Sequence, residues 1–377
     1  MLLRPASGDT VADVSEHITA SVADGVGHVT LNRPQALNAL SYDMIVALAE
    51  VFEAWRNDSE VAVVVLDGAG DRGFCAGGDI RELHGFATSG RIAEAQTFFR
   101  AEYRLNAAIA RYPKPVVAIM DGITMGGGVG LAGHASVRVV TERSRVAMPE
   151  TRIGFTPDVG GTWLLAKAPG ELGVHLALNS RTMDAADAIH AGFADALVPS
   201  ETLPHLLQAL AERADPGSPA EIVMLFDETP GPSALAASRD WVDACYSAPT
   251  VAEILERLRT FAASPVSDTS TTDAAAAARA NAAAAADELE TLSPTALAVT
   301  LDAVRRARTL PRLEDALEQE FRLVSWFLQQ PDLHEGIRAQ VIDKDRSPAW
   351  RPATAAELPH DLFSRALAEP VGESVFG

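Results

Sequence analysis

Three stretches combine residue types that can do chemistry. Phe74-Cys75-Ala76-Gly77-Gly78-Asp79 sets small residues between a strand-like and a helix-like segment. N–H groups at a helix start are unsatisfied and point outward, and glycine lets a ligand approach them, so such a turn can hold an anion or an oxyanion. An ordinary strand-to-helix turn has the same composition. Asp121 to Gly130 contains Gly126-Gly127-Gly128, a run that costs a helix start ~1 kcal/mol per glycine relative to alanine and is tolerated where backbone must come close to a neighbouring helix or a ligand carbonyl. Met148-Pro149-Glu150 and Pro157-Asp158-Val159-Gly160-Gly161 place two carboxylates eight residues apart among glycines and prolines. Carboxylates in unlike environments can divide the roles of nucleophile or base and of acid, although loop acids are commonly only solvated.

Other chemical equipment is missing. There is no G-x-S-x-G elbow, Walker A loop, H-E-x-x-H or C-x-x-C motif, and His334-Glu335-Gly336 lacks the second histidine of a zinc site, so no metal is expected. Gly128, Gly130 and Gly133 fit G-x-G-x-x-G, but the match lies deep in the chain, away from a first βαβ unit. Cys75 and Cys245, the two cysteines, form neither a metal spacing nor a disulfide framework, and Cys75 reads as a small buried filler rather than a nucleophile. Backbone donors plus carboxylates remain. That equipment suits reaction at a carbonyl whose oxygen becomes negative.

The elements that must position these groups follow an α/β rhythm. Residues 17–31 alternate and turn at Asp24-Gly25, predicting a hairpin. Ser41 is a candidate N-cap for a helix with Met44, Ile45, Leu48, Val51, Phe52 and Trp55 on one face. Val61–Leu66, Pro115–Met120 and Val137–Val140 are apolar runs suited to strands covered on both faces, and Ile92–Arg111 reads as a helix stopped by Pro113. Beyond about residue 200 the pattern is helical. The alanine blocks 274–278 and 282–286, with Asp273 able to cap, read as a surface helix or semi-flexible insertion, and Leu313, Leu317, Phe321, Val324 and Leu328 form a packing stripe ended by Pro331. The divisions expected are a tail 1–16, a core 17–205 holding the site, a helical region 206–290, a C-terminal helical region 291–357 packing on the core, and a tail 358–377.

The chain has 377 residues and a formal charge of −20, a field that repels polyanions and argues against nucleic-acid binding. No stretch approaches the ~20 apolar residues of a membrane span. The acidic N-terminus resembles neither a signal nor a transit peptide, so a cytoplasmic location is expected.

Asn32-Arg33-Pro34 with Leu37-Asn38-Ala39-Leu40, then Ala76-Gly77-Gly78-Asp79-Ile80, then Lys114-Pro115 to Gly130, resemble the crotonase (enoyl-CoA hydratase/isomerase) superfamily in order and spacing. Within it, Gly122–Gly130, Met148–Thr151, Pro157–Gly161, Leu292-Ser293-Pro294-Thr295, Asp332–Ala339 and Ile342–Asp345 look most like the 3-hydroxyisobutyryl-CoA hydrolase subgroup. The resemblance spans about residues 17–356 and leaves the alanine-rich segment unmatched. It implies an α/β spiral of ββα units with an α-helical C-terminal region, and an acyl-CoA substrate in which coenzyme A is the only nucleotide group and no further cofactor is needed. It allows a homo-oligomer. It implies an oxyanion hole from the N–H groups of Gly78 and Gly127, catalysis by Glu150 and Asp158, and a substrate pocket lined by Glu102 with Gly127, Glu150 and Asp158. Backbone around Ala36, Leu37, Ala76 and Asp79 would face the CoA, with Arg33 a candidate phosphate partner. Enoyl-CoA hydratases carry a second glutamate where this chain has Gly130, which favours thioester hydrolysis. A hydratase or isomerase, a hydrolase of another acyl-CoA, or a silent acyl-CoA binding protein stay as alternatives. Glu150 could attack the thioester or activate a water, and Phe155 and Trp163 are candidates for shaping the acyl pocket.

Overall fold

The computed structural model describes residues 12–213, 217–264 and 273–377. Eleven strands fall into two sheets: β1 (Ala12–Ser15), β2 (Ile18–Ala23), β3 (Val26–Leu31), β4 (Val63–Gly68), β5 (Gly73–Cys75), β6 (Val116–Met120), β7 (Ile123–Met125), β8 (Val137–Val140), β9 (Arg145–Ala147), β10 (Thr182–Met183) and β11 (Ala196–Leu197). The larger sheet runs β1-β2-β3-β4-β6-β8-β11 and the smaller β10-β9-β7-β5. In the larger sheet the β1–β3 edge is antiparallel, with Asp24 and Gly25 at positive φ in the expected turn, and the pairings from β3 through β4, β6 and β8 to β11 are parallel. Consecutive strands split between the sheets: β4 enters the large one and β5 the small one, then β6 and β7, then β8 and β9. This repeated ββ step, each closed by helix or turn, is the spiral of ββα units.

Val63–Leu66 and Val116–Met120 are buried throughout, because the large sheet is covered on both faces. Helix α1 (Tyr42–Arg56) starts as its cap residue dictates, with the Ser41 hydroxyl accepting from Met44 N–H at 3.4 Å. Helices α2 (Ile80–Thr88), α3 (Ile92–Ala110), α4 (Gly127–Ala132) and α5 (Gly161–Lys167) surround the site.

The alanine-rich stretch is a helix, Asp273–Leu289, at the surface and buried along one side of its second half. Ala282, Ala285, Ala286 and Leu289 are buried, and Asn179 Nδ2 donates to Ala285 O at 3.0 Å. Small side chains let this helix lie close to its neighbours. Thr271, Thr272 and the first eleven residues of the expected tail lie outside the described residues. Residues 358–377 include a helix, Leu362–Leu367, and are tied to α3 by Arg104 Nε donating to Val375 O at 2.7 Å. Among the described residues no helix is long and apolar enough to cross a membrane.

Candidate active site

The two glycine turns meet. Leu40 N–H donates to Gly77 O, and Asp79 N–H donates to Leu40 O, both at 2.8 Å. These two bonds flank Gly78 as in a parallel bridge, so by strand alternation the Gly78 N–H faces the other way. Gly127 opens α4, where the first N–H groups have no intrahelical acceptor. Among the described residues neither N–H has a protein acceptor. A Cβ added at Gly127 would lie 3.2 Å from Gly78 N, and one added at Gly77 would lie 3.5 Å from Gly127 N. The two donors are therefore neighbours on one surface.

That surface is the wall of a cavity of about 230 Å³, lined also by Glu102, Glu150, Asp158, Phe98, Phe99 and Phe155. Glu102 comes from α3, and its Oε1 would be 2.5 Å from a Cβ at Gly127. Glu150 opens a 3-10 turn, Glu150–Ile153, and its Oε1 would be 3.1 Å from a Cβ at Gly126. Two carboxyls thus bracket the N–H pair. Glu102 Oε1 and Glu150 Oε2 are buried and lack a hydrogen-bond partner, which marks them for something other than folding. Asp158 accepts from the buried Tyr103 hydroxyl at 2.7 Å.

Burial pushes the Glu102 and Glu150 carboxyls well above the ordinary range, and the Asp158 charge adds to both shifts. Burial also lifts Asp158 to about 7, against the opposing effect of the Tyr103 hydrogen bond. Three buried acids sharing one pocket cannot all ionise near neutrality.

The Asp158 loop has an unusual backbone. Val159 is β-branched yet has φ of +53°, and such a conformation costs about 1–3 kcal/mol unless its surroundings hold it. His134 Nε2 lies 2.9 Å from Val159 O. Burial pushes that imidazole down to about 4, so it is neutral at pH 7 and donates from Nε2. On the far side, Glu320 of the helix Leu313–Phe327 accepts from Gly160 N–H at 2.7 Å, from Thr162 N–H at 2.9 Å and from the Thr162 hydroxyl.

The structure brings Gly78, Gly127, Glu102, Glu150, Asp158, Ala76 and Asp79 to one cavity, with Phe155 on its wall and Trp163 off it. Ala36 and Leu37 do not line it, and Leu37 borders a separate shallow pocket. Leu37 is joined to the rim of the site by Ala76 N–H, which donates to Leu37 O at 3.0 Å. Arg33 is engaged internally, with Nη1 2.9 Å from Asp79 Oδ2 and 3.1 Å from Ala39 O. Cys75 is fully buried, and burial drives its thiol up to about 12, which excludes a thiolate nucleophile near neutrality.

The glycines of the dinucleotide-like pattern have packing reasons. A Cβ at Gly128 would collide with Cys75 O, one at Gly133 would come 2.6 Å from Leu164 Cδ1, and one at Gly130 would come 2.6 Å from Val159 Cβ and 3.0 Å from Asn106 Nδ2. Position 130 has no room for a glutamate as the chain stands. The sequence reasoning did not find Tyr103, Glu320, Arg152 or Gln340, the last two of which also line the cavity. Arg152 pairs with Glu288 at the end of the alanine-rich helix.

Residues 26–367 match the family described as enoyl-CoA hydratase/isomerase. The chain belongs to that family. It is 39% identical over 350 residues to the mitochondrial 3-hydroxyisobutyryl-CoA hydrolase of Danio rerio, covering 91% of this chain and 87% of that one. To the Homo sapiens protein of the same name it is 36% identical over 357 residues, covering 92% and 87%. Among solved structures, a carnitinyl-CoA dehydratase from Mycobacterium thermoresistibile is similar with a TM-score of 0.86 and 45% identity, covering 96% of this chain and 98% of that one. An enoyl-CoA hydratase from Rhodobacter sphaeroides 2.4.1 follows with a TM-score of 0.83 and 41% identity, covering 95% and 98%. The crotonase-type fold expected from the sequence is thereby established. The names of the vertebrate relatives place those proteins in mitochondria and lend no support to the cytoplasmic location expected here.

Proposed function

We propose that this protein hydrolyses a short 3-hydroxyacyl-CoA thioester, 3-hydroxyisobutyryl-CoA above others, to the free 3-hydroxy acid and CoA, a step of valine breakdown. One observation carries the reading. Two acceptor-free main-chain N–H groups share a small cavity with a glutamate whose outer oxygen has no partner, while the position for a second, hydratase-type glutamate is packed shut.

The chemistry follows from that arrangement. The thioester oxygen sits on the N–H groups of Gly78 and Gly127, which stabilise the negative charge that develops there. Each such donor is worth ~10²–10³ in rate. Ionised Glu150 takes a proton from water as the water oxygen adds to the carbonyl carbon. The C–S bond then breaks, and the proton passes to the thiolate. In the other form Glu150 adds to the carbon itself, giving an anhydride that water opens. Label in Glu150 after a single turnover in ¹⁸O-labelled water identifies the anhydride route, with water opening the anhydride at the glutamyl carbon. Asp158, braced by Tyr103, orients the substrate hydroxyl, and Glu102 bounds the hydroxyacyl end. Ala76 and Asp79 on the rim, with Ala36 and Leu37 behind them, are the backbone proposed to face the CoA.

The deciding experiment compares thiol release from 3-hydroxyisobutyryl-CoA with hydration of crotonyl-CoA. Thiol release that is dominant, and lost in Glu150→Gln, supports the reading. Dominant hydration would establish instead the activity named for the Rhodobacter sphaeroides relative, and unchanged thiol release in Glu150→Gln would end the assignment of Glu150.

A further inference from the structure

Glu320 is fully buried on a helix that also buries the apolar Leu317, Phe321 and Val324. A carboxylate in such a setting needs every lone pair used. Glu320 uses both oxygens, one on Gly160 N–H and the other on Thr162 N–H and hydroxyl. These donors belong to the turn that follows Asp158, 160 residues earlier in the chain. Glu320 does not line the cavity, so substrate does not touch it. The turn it grips cannot hold itself: Val159 is left-handed, Gly160 has φ of +78°, and the local closure is a single bond from Gly161 N–H to Asp158 O of 2.6 Å.

We propose that Glu320 is a positioning residue for Asp158: from the helix Leu313–Phe327 its carboxyl group clamps the 158–162 turn and so fixes the Asp158 carboxyl against Tyr103 and toward the cavity. His134 holds the opposite side of the turn through Val159 O, so the loop is gripped between the segment that follows α4 and the helix Leu313–Phe327. The C-terminal region is in this way part of the catalytic arrangement, not only a cover for the core. A glutamine at 320 has one acceptor oxygen and would turn an N–H toward one of the two main-chain donors, loosening one jaw of the clamp.

The inference rests on the reading that Asp158 acts in the reaction, and a double-mutant cycle tests it. Glu320→Gln lowers kcat about 10–100-fold with KM within about threefold, because positioning is lost and not binding. In an Asp158→Asn background the same change costs less than about threefold, because groups acting through one another are not additive. A wild-type kcat in Glu320→Gln, or losses that multiply in the double variant, overturns the proposal. A carboxylate that merely held the fold would give multiplying losses. If Glu320→Gln does not fold, Thr162→Val removes only the hydroxyl donor, and the same cycle with Asp158→Asn decides in the same way. Glu318→Gln, a carboxyl on the same helix bonded to Phe376 N–H, keeps the wild-type rate. Wild type that releases no thiol from 3-hydroxyisobutyryl-CoA would overturn the functional reading alone. The clamp is then decided by a crystal structure of Glu320→Gln: an Asp158 carboxyl still bonded to Tyr103 overturns it, and a displaced one supports it.

Discussion

Replacing Gly127 by alanine should separate activity from stability. The residue is not at positive φ, so alanine meets no backbone strain. The new methyl would lie 2.5 Å from Glu102 Oε1 and 3.2 Å from both Gly78 N and Leu40 Cδ1. The first neighbour is the far end of a flexible side chain and can move; the others must give by a few tenths of an ångström. Alanine at a helix start also gains up to about 1 kcal/mol over glycine, which offsets that crowding. The fold should therefore survive with its unfolding midpoint within a few degrees of wild type. Function should not. An oxyanion sits about 2.7–3.1 Å from its donors, and the methyl occupies that distance from Gly78 N. Loss of one donor costs about 2.7–4 kcal/mol, or ~10²–10³ in kcat, and loss of both multiplies this. The assay is thiol release from the best acyl-CoA substrate, beside thermal unfolding. A Gly127→Ala protein within threefold of wild-type kcat/KM would refute the placement of the oxyanion. The contrast is Gly128→Ala, whose methyl meets the Cys75 main chain and should cost stability first.

Other outcomes follow from the same geometry. Glu150 must be ionised to act, and burial and Asp158 raise its pKa, so thiol release should rise with pH on a limb displaced above the ordinary carboxylate range; a limb near pH 4 would contradict that environment. Asp158 has its folded pKa raised from 3.8 to about 7, so its contribution to stability is greatest below pH 4 and is lost as pH rises to about 7. Asp158→Asn escapes that loss and should melt about 2 °C or more above wild type at pH 8 while losing activity; an equal or lower midpoint would sink the argument. Ser293 caps the helix Pro294–Ala307 through Ala296 N–H and donates to buried Asp332 at 2.5 Å. Ser293→Ala should cost about 2–4 kcal/mol in urea unfolding, from the lost cap plus an Asp332 Oδ2 left without its donor while Oδ1 keeps the Arg351 N–H; a change below about 1 kcal/mol would show that Oδ2 finds another donor.

What the sequence disclosed was mostly what is local. Ser41 announces a helix start, Asp24-Gly25 a tight turn, and Val137–Val140 a covered strand, because each signal lies within its own neighbours. The glycine turns and the two loop acids were legible for the same reason, and the resemblance supplied their roles. The small sheet was not, since its strands of two or three residues are too short to show a period. Tyr103 stands among apolar helix neighbours and reads as core. Glu320 flanks an amphipathic stripe and reads as a solvated charge; a loop far back in the chain decides otherwise. Gly336, in the Asp332–Ala339 stretch, has a reason that only the packing shows: its missing Cβ lets the helix Pro331–Ile337 lie against the main chain of Ile153, in the turn that Glu150 opens.

The cavity wall begins at Ala76 and ends at Gln340, and the Asp158 turn is gripped from position 320. A ribosome must therefore release nearly the whole polypeptide before a working pocket can exist. Contacts so distant along the chain also close slowly. Nascent chains halted between about residue 170 and about residue 300 should carry both glycine turns and both loop acids, and still turn over nothing.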